Sequence, residues 1–197
     1  MAPQLDQAAR DLLFQEARSA NRFTDRAVDH ELLRQLYDLM KWGPTSMNSC
    51  PARLCFLTTP EAKARLMPAL SAGNVQRVQS APVVAIIGHD LEFFDHLPRL
   101  FPPKPEGRKI FEKNEIAAEI NAFRNGTLQG AYFIIAARAV GLDCGPMSGF
   151  DNARVDQEFF AGTNVKSNFL CSLGYADPAT HYPRSPRFDF DEVCQLL

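Results

Sequence analysis

The chain has 197 residues, of which 46% are hydrophobic and 22% charged, with a formal net charge of −2. That length suits one domain with a sizeable core, so we expect a single domain over residues 1–197. Because charges of both signs are interspersed, the sequence argues against a broad basic surface for nucleic acid or anionic membranes and favours small-molecule chemistry.

Leu12, Leu13 and Phe14 are the apolar residues of a first helix predicted over residues 6–17, whose apolar face is weakly defined. Asp29 is placed to cap a second helix over residues 30–41, in which apolar residues recur at helical spacing. Short apolar runs predict buried strands at residues 54–58 and 83–87, separated by a helix that opens with proline. Both runs are continuous rather than alternating. That pattern is typical of a sheet covered on both faces.

The second half of the chain opens with residues 89–114, which mix four prolines with bulky apolar side chains. This segment reads as a lid or partner-contacting excursion, and a packed irregular loop explains it as well. Residues 116–140 form the longest helical pattern, and their apolar stretch at 131–137 predicts a helix that is buried all round and lies along a subunit interface. The remaining elements are a strand beginning at 141–145, a helix at 151–160 and a strand at 169–175. This irregular order favours an α+β fold.

Several catalytic motifs are missing from the sequence. No two glycines stand two residues apart, so the dinucleotide-binding GxGxxG pattern cannot occur, and there is no P-loop, HExxH or GxSxG. The four histidines are scattered, and we expect each to be a surface or structural residue. A reaction carried out by this chain would therefore depend on a bound cofactor.

The five cysteines are odd in number and lack metal-ligand spacing, so we expect reduced, mostly buried thiols in a cytosolic protein without a metal site. The first residues have neither the basic nor the apolar region of a secretion signal. No apolar run is long enough to span a bilayer, and we expect neither a cleaved leader nor a membrane segment.

The segment after the second predicted helix is dense in turn-forming and hydrogen-bonding residues. Gly43 and Pro44 end that helix, and Thr45, Ser46 and Asn48 then offer two hydroxyls and an amide without a formal charge. Such a loop suits a neutral polar ring better than a metal or a phosphate. An ordinary polar turn after a helix accounts for the local pattern equally well.

Four other clusters share this density of donors and turn residues, namely residues 17–23, 73–74, 145–151 and 184–187. In this order and spacing they resemble the nitroreductase family of FMN enzymes over nearly the whole chain. The blocks MKWGPTSMN, PALSAGN, GPMSGFD, FFAG and KSN are most similar to the malonic semialdehyde reductase branch, associated with uracil degradation. Taken alone, residues 145–149 would be a plain turn capped by Asp151, and Arg184 and Arg187 would be solvated surface charges.

The resemblance implies a nitroreductase-like α+β fold, with a central, mostly antiparallel sheet flanked by helices, in an intertwined homodimer with two flavin sites at its interface. It implies that Arg18 and Ser19 hold the phosphate end of FMN and that either Arg184 or Arg187 completes that site. Asn21 would approach the pyrimidine edge of the ring, where many family members carry a cation.

The remaining contacts implied by the resemblance concern the flavin ring. From the partner subunit, the ring and ribityl chain would be contacted by Pro44, Thr45, Ser46 and Asn48. Within the chain, Asn74 would hydrogen-bond the ring edge, and the turn made of Pro146, Met147, Ser148 and Gly149 would lie along the ring. Several relatives have a glutamate where this chain has Ser148, so a mechanism that needs a carboxylate there is not carried over.

The activity implied is a ping-pong cycle in which NADPH or NADH reduces FMN and malonic semialdehyde is then reduced to 3-hydroxypropanoate. Arg124, Lys104 and Arg108 are the candidate partners of the substrate carboxylate. The sequence identifies no catalytic acid. Two alternatives stay open, a broad quinone or nitroaromatic reductase and a flavin-binding protein that does not turn over.

Overall fold

The computed structural model describes residues 2–197 and contains a four-stranded antiparallel sheet with strand order β1-β2-β4-β3. The strands are β1 Ala52–Leu57, β2 Val83–Asp90, β3 Asp143–Met147 and β4 Val165–Gly174. In the register of the sheet, Ala85 of β2 lies opposite Cys171 of β4, and Gly145 of β3 lies opposite Ser172. The predicted α+β fold with an antiparallel sheet is therefore confirmed, and β3 is an edge strand.

Nine α-helices accompany the sheet in the described part of the chain. They are α1 Gln7–Arg10, α2 His30–Met40, α3 Pro60–Leu66, α4 Ala72–Ser80, α5 Leu97–Leu100, α6 Arg108–Glu112, α7 Glu115–Ala139, α8 Asn152–Phe159 and α9 Phe190–Val193. Asp29 caps α2 through the backbone N–H of Glu31, and Asp151 caps α8 through that of Arg154. Both helix starts follow the expected side-chain capping.

Helices cover the sheet on both faces, as the continuous apolar strands predict. On one face, Leu36 and Met40 of α2 and Phe133 of α7 pack against the sheet side chains that include Ile87 and Leu173. On the other, the side chains from α3, α4 and α8 include Leu66, Val78 and Val155, which pack against Val84, Ile86 and Leu170. Two cysteines, Cys144 and Cys171, are buried in the first of these layers, and all five thiols are free.

The elements differ from the sequence prediction in several places. The first α-helix ends at Arg10 and continues as a wider π-helical turn over Asp11–Gln15, so it is shorter than the predicted 6–17. Strand β4 begins four residues before the predicted 169–175. Helix α4 was not predicted at all, because Gly73 and Asn74 read as a turn.

The proline-rich excursion after β2 is a packed segment rather than an open loop. It contains α5 and α6, and Phe93, Leu97 and Phe111 form a small core with Ala118 and Ala122 of α7. The rings of Phe93 and Phe111 meet edge to face at 5.0 Å between centroids. The excursion is therefore anchored on the start of α7.

The long helix α7 is not buried all round, contrary to the sequence prediction. Gly126, Gly130 and Phe133 face the sheet and are buried, but Ala131 and Tyr132 are exposed. The other exposed apolar side chains of the helix are Ile116, Ile120, Phe123 and Leu128. The prediction failed because one chain covers only one side of the helix. No helix among residues 2–197 is both long and apolar enough to cross a membrane.

His89, near the end of β2, is buried beneath α7 and only 5% exposed. Its ring meets Phe123 edge to face at 5.6 Å, and its Nδ1 atom has no hydrogen-bond partner in the described part of the chain. Burial lowers the pKa of His89, even though Asp156, Glu119 and Asp90 act in the opposite direction and Lys166 adds to the lowering.

The folded state binds a proton at His89 less readily than the unfolded state does. We therefore expect neutral His89 to make its whole contribution to the free energy of unfolding above pH 6.5. That contribution is lost as the pH falls through the lower pKa of the folded protein, by about 1.4 kcal/mol for each unit of pKa lowering. Urea unfolding between pH 7.5 and 5 should therefore show a smaller acid-induced loss of stability in His89→Gln than in the unsubstituted protein. Equal losses in the two proteins would contradict this assignment.

Candidate functional site

The free edge of β3 receives a second segment of the chain. The backbone N–H of Ala20 donates to the carbonyl of Cys144 at 3.0 Å, and Ser19 forms a parallel bridge with Cys144. A Cβ atom at Gly145 would lie 2.6 Å from the carbonyl oxygen of Ala20, so only glycine permits this approach. Arg18, Ser19 and Asn21 are thereby placed along the sheet edge.

Arg77 of α4 reaches the same edge beside Asn21. Its Nη2 atom donates to Oδ1 of Asn21 at 2.7 Å, and a Cβ atom at Gly145 would lie 2.9 Å from its Cδ atom. Its Nε atom is buried without a hydrogen-bond partner among residues 2–197. Sequence reasoning missed Arg77. The available signal was its spacing from Asn74, which places both residues on one face of a helix once α4 is recognised.

The turn after β3 is attached to the start of α4. Nδ2 of Asn74 donates to the carbonyl of Gly149 at 2.9 Å, and the backbone N–H of Ser71 donates to the same oxygen at 3.0 Å. Proceeding along the edge, Ser19 therefore lies beside Cys144, Arg77 beside Gly145 and Asn74 beside Gly149. From Cys144 to Gly149 even a fully extended chain spans at most about 17 Å, so these groups lie close together.

A cavity of about 410 Å³ adjoins the end of this edge where Ser19 lies. Ser19, Asn21, Arg18, Arg138, Arg184 and Arg187 line it, and no carboxylate does so in the described part of the chain. Four guanidinium groups make it strongly attractive to an anion. Sequence reasoning did not include Arg138, because that arginine lies near the end of an otherwise apolar helix.

Arg18 and Arg184 converge within this cavity. Arg18 donates to the carbonyls of Glu16 and Ala17 at 3.1 and 3.2 Å, and Arg184 donates to that of Ala17 at 3.2 Å and to that of Gln15. Arg187 instead bonds carbonyls of its own segment. The sequence left open which of the two C-terminal arginines joins Arg18. Both line the cavity, but Arg184 is the one that shares a hydrogen-bond acceptor with it.

A second, mostly apolar pocket of about 350 Å³ lies at the other end of the edge. Pro146, Met147 and Ser148 form one wall, and Thr127, Ala131 and Ile134 of α7 form another, together with Phe169. The predicted ring-contacting turn is therefore next to a wide apolar opening that a flat ring can enter.

The loop from Gly43 to Cys50 is fixed to α7 rather than to the arginine cavity. The backbone N–H of Ser46 donates to Oδ1 of the buried Asn125 at 2.8 Å, and Nδ2 of Asn48 donates to the carbonyl of Leu100 at 2.8 Å. Met47, Asn48 and Cys50 have positive φ angles of 54°, 49° and 41°, a conformation that non-glycine residues rarely adopt.

This strained loop is separate from the β3 edge, and it contains the predicted site residues Pro44, Thr45, Ser46 and Asn48. None of these four residues lines the arginine cavity or the apolar pocket of the described chain. The structure brings together ten of the predicted site residues along one edge and leaves these four apart from it.

The three candidate cations for a substrate carboxylate differ in their surroundings. Arg108 lies 3.1 Å from Asp95 and 3.6 Å from Glu112, so its charge is already balanced. Lys104 and Arg124 are exposed and make no salt bridge among residues 2–197. Arg124 precedes Thr127 by three residues on α7, close to the apolar pocket.

Comparisons with known proteins agree with this fold. The sequence model of the nitroreductase family matches residues 15–175. A protein of Ralstonia pickettii, provisionally named NADH dehydrogenase/NAD(P)H nitroreductase HadB, is 58% identical over 186 residues, which cover 93% of this chain and 95% of that protein. A Burkholderia lata protein, also provisionally named as an NADH dehydrogenase/NAD(P)H nitroreductase, is 56% identical over 192 residues, which cover 98% of each chain.

The fold is also shared with solved structures. One is a provisionally described nitroreductase of Exiguobacterium sibiricum, solved in complex with FMN, which superimposes with a TM-score of 0.86 at 20% identity and covers 98% of this chain and 99% of its own. On the family match and the two relatives, the chain belongs to the nitroreductase family.

Proposed function

We propose that this chain is an FMN-dependent oxidoreductase that takes reducing equivalents from NADPH or NADH. The observation that carries the proposal is the order of groups along the β3 edge. An arginine-lined cavity comes first, then Arg77 beside Gly145, then the apolar pocket walled by residues 146–148, and finally Asn74 beside Gly149. The cavity suits a phosphate, the apolar pocket suits a flat ring, and Arg77 and Asn74 on either side of the pocket wall suit the polar edge of that ring.

Arg18 and Arg184 would hold the FMN phosphate, with Ser19 adding a hydroxyl donor. A guanidinium group presents a planar fork of donors that matches phosphate oxygens. Both arginines already bond backbone carbonyls at the end of the first helical segment, which pre-positions them. Glu16 lies 3.7 Å from Arg18 and is largely exposed, so a phosphate would compete with a solvated carboxylate there. Arg138 and Arg187 line the same cavity and would add to its positive potential.

Asn74 would hydrogen-bond the ring edge through Oδ1, which has no partner among residues 2–197 because only Nδ2 bonds Gly149. Arg77 would place a positive charge at that edge. The turn at Ser148 would hold the ring over the apolar pocket, and the side chains there would exclude water. Bound FMN would supply hydride transfer between NAD(P)H and an oxidised acceptor.

We further propose a homodimer built on α7. Consecutive residues of an α-helix differ by about 100°, so Asn125, which holds the loop, and Thr127, which lines the apolar pocket, point about 200° apart. The helix therefore separates the strained loop from the apolar pocket of its own chain. The exposed stripe of Ile116, Ile120 and Phe123, with Trp42 exposed beside the loop, supports a second copy that brings its loop to this pocket.

For the substrate, we propose malonic semialdehyde, reduced to 3-hydroxypropanoate. The support is the set of sequence blocks shared with that branch, including the uncharged loop and the turn around Ser148. Arg124 is the preferred partner for the substrate carboxylate, since Arg108 is already paired. A broad quinone or nitroaromatic reductase is the second candidate, because the apolar pocket is open and the relatives carry nitroreductase names.

The central test is optical. Protein purified with FMN should show the yellow flavin spectrum, which should bleach on anaerobic addition of NADPH or NADH. A bound flavin that neither nicotinamide bleaches would contradict a reductase and favour a flavin-binding protein.

In the same preparations Arg184→Ala should weaken FMN binding at least about tenfold, because a charge-assisted contact to phosphate is lost. Arg34→Ala, at an exposed ion pair on α2, is the matched control and should retain full FMN content.

The substrate assignment is tested by comparing kcat/KM for malonic semialdehyde with that for a quinone. We expect Arg124→Ala to raise KM for malonic semialdehyde about tenfold or more with little change for the uncharged quinone, since only the former carries a carboxylate. A quinone preference of several orders of magnitude in the unsubstituted protein would instead identify the broad reductase.

The dimer is tested by sedimentation of variants of the α7 stripe. Ile120→Asp should shift the protein toward monomer, because a charge would be buried in the apolar contact. Ile110→Asp changes an equally exposed isoleucine outside the stripe and should leave the dimer intact. An FMN-loaded monomer of the unsubstituted protein would overturn the shared site.

A further inference from the structure

We propose that Asn21 is a positioning residue. Its side chain clamps the Arg77 guanidinium against β3 and ties that cation to the C-terminal segment that carries Arg184. This inference rests on the FMN site proposed above.

The clamp consists of two hydrogen bonds from one half-buried amide. Oδ1 of Asn21 accepts from Nη2 of Arg77 at 2.7 Å, and Nδ2 donates to the carbonyl of Thr180 at 3.1 Å. An amide offers an acceptor on one side and donors on the other, so it joins a cation to a carbonyl without adding charge. An aspartate could make the first bond only by neutralising Arg77, and a lysine could make only the second.

Arg77 depends on this clamp because no carboxylate in the described chain holds its guanidinium group in place. It makes no salt bridge among residues 2–197, and its buried Nε atom has no acceptor. A partly buried cation with an unsatisfied donor is costly unless negative charge arrives with a ligand. The space at Gly145 lets the side chain lie flat on the strand, with its Nε atom left unpartnered.

Thr180 gives the clamp a second consequence. It immediately precedes the segment that carries Tyr182 and Arg184 into the arginine cavity, and His181 lines a neighbouring cavity with Arg77 and Asn21. Asn21 therefore connects the ring-edge cation to the segment that completes the phosphate site. Loss of the amide should affect both ends of the cofactor site.

A simpler role for Asn21 would be to attach the segment around residue 21 to helix α4 without positioning Arg77 for a ligand. The chain supplies a matched control for that role, because Nη2 of Arg22 donates to Oε1 of Gln76 at 2.8 Å and links the same segment to the same helix. Gln76→Ala removes this outer link while leaving the Asn21–Arg77 bond in place.

The test is a double-mutant cycle of Asn21→Ala and Arg77→Met, with FMN affinity of the apoprotein and the flavin midpoint potential as readouts. In the unsubstituted background, Asn21→Ala should weaken FMN binding about tenfold and make the potential more negative. In the Arg77→Met background only the bond to Thr180 remains to be lost, so the same change should have a clearly smaller effect on FMN binding and should not move the potential. Gln76→Ala should leave both quantities unchanged.

Equal effects of Asn21→Ala in the two backgrounds would overturn the proposal, because Asn21 would then act without Arg77. A flavin-free readout separates this failure from failure of the FMN site. In the apoprotein, NMR of labelled arginine should show slow rotation of the Arg77 guanidinium, which is lost in Asn21→Ala and kept in Gln76→Ala. Unchanged rotation in Asn21→Ala would refute the clamp even if the unsubstituted protein bound no FMN.

Discussion

The close approach of three segments at Gly145 is the constraint on which the candidate site depends. Only a residue without a side chain leaves room on one side of β3 for both the carbonyl of Ala20 and the stem of Arg77. The Ala20 contact places Arg18 at the sheet edge, and the Arg77 contact places a cation beside it. A single glycine, Gly145, therefore determines where the positive charge lies, and the sheet supplies the rigidity that keeps it there.

A second constraint is the attachment of the strained loop to α7. Three positive φ angles in four residues cost about 1–3 kcal/mol each, and such a conformation persists only where its surroundings determine it. The buried amides of Asn125 and Gln129 provide this, since they accept the backbone N–H groups of Ser46 and Ala52, on either side of the strained residues, each at 2.8 Å. Polar side chains inside an apolar helix thus hold the uncharged loop in one shape.

Much of the fold could be predicted from sequence because its signals are local. The helix starts are set within one helical turn by Asp29, by Asp151 and by the proline of α3. The strands are recognisable in the sequence as short apolar runs. Helix α4 could not be predicted, because glycine and asparagine near its start favour turns and the contact with the carbonyl of Gly149 is made across the fold. Arg77 was missed for that reason. The residues proposed for the phosphate end were predicted through family resemblance, whereas the convergence of Arg18 and Arg184 required the tertiary structure.

Helix α7 shows why the apolar pattern of a sequence does not by itself specify what covers it. Its apolar residues on both sides predicted burial all round, yet one chain buries only the side toward the sheet. The uncovered side includes Ala131, which lines the apolar pocket, and the covered side holds the loop through Asn125. If a second copy completes the pocket, cofactor binding and association draw on the same helix. FMN would then stabilise the dimer by mass action, and each would strengthen the other.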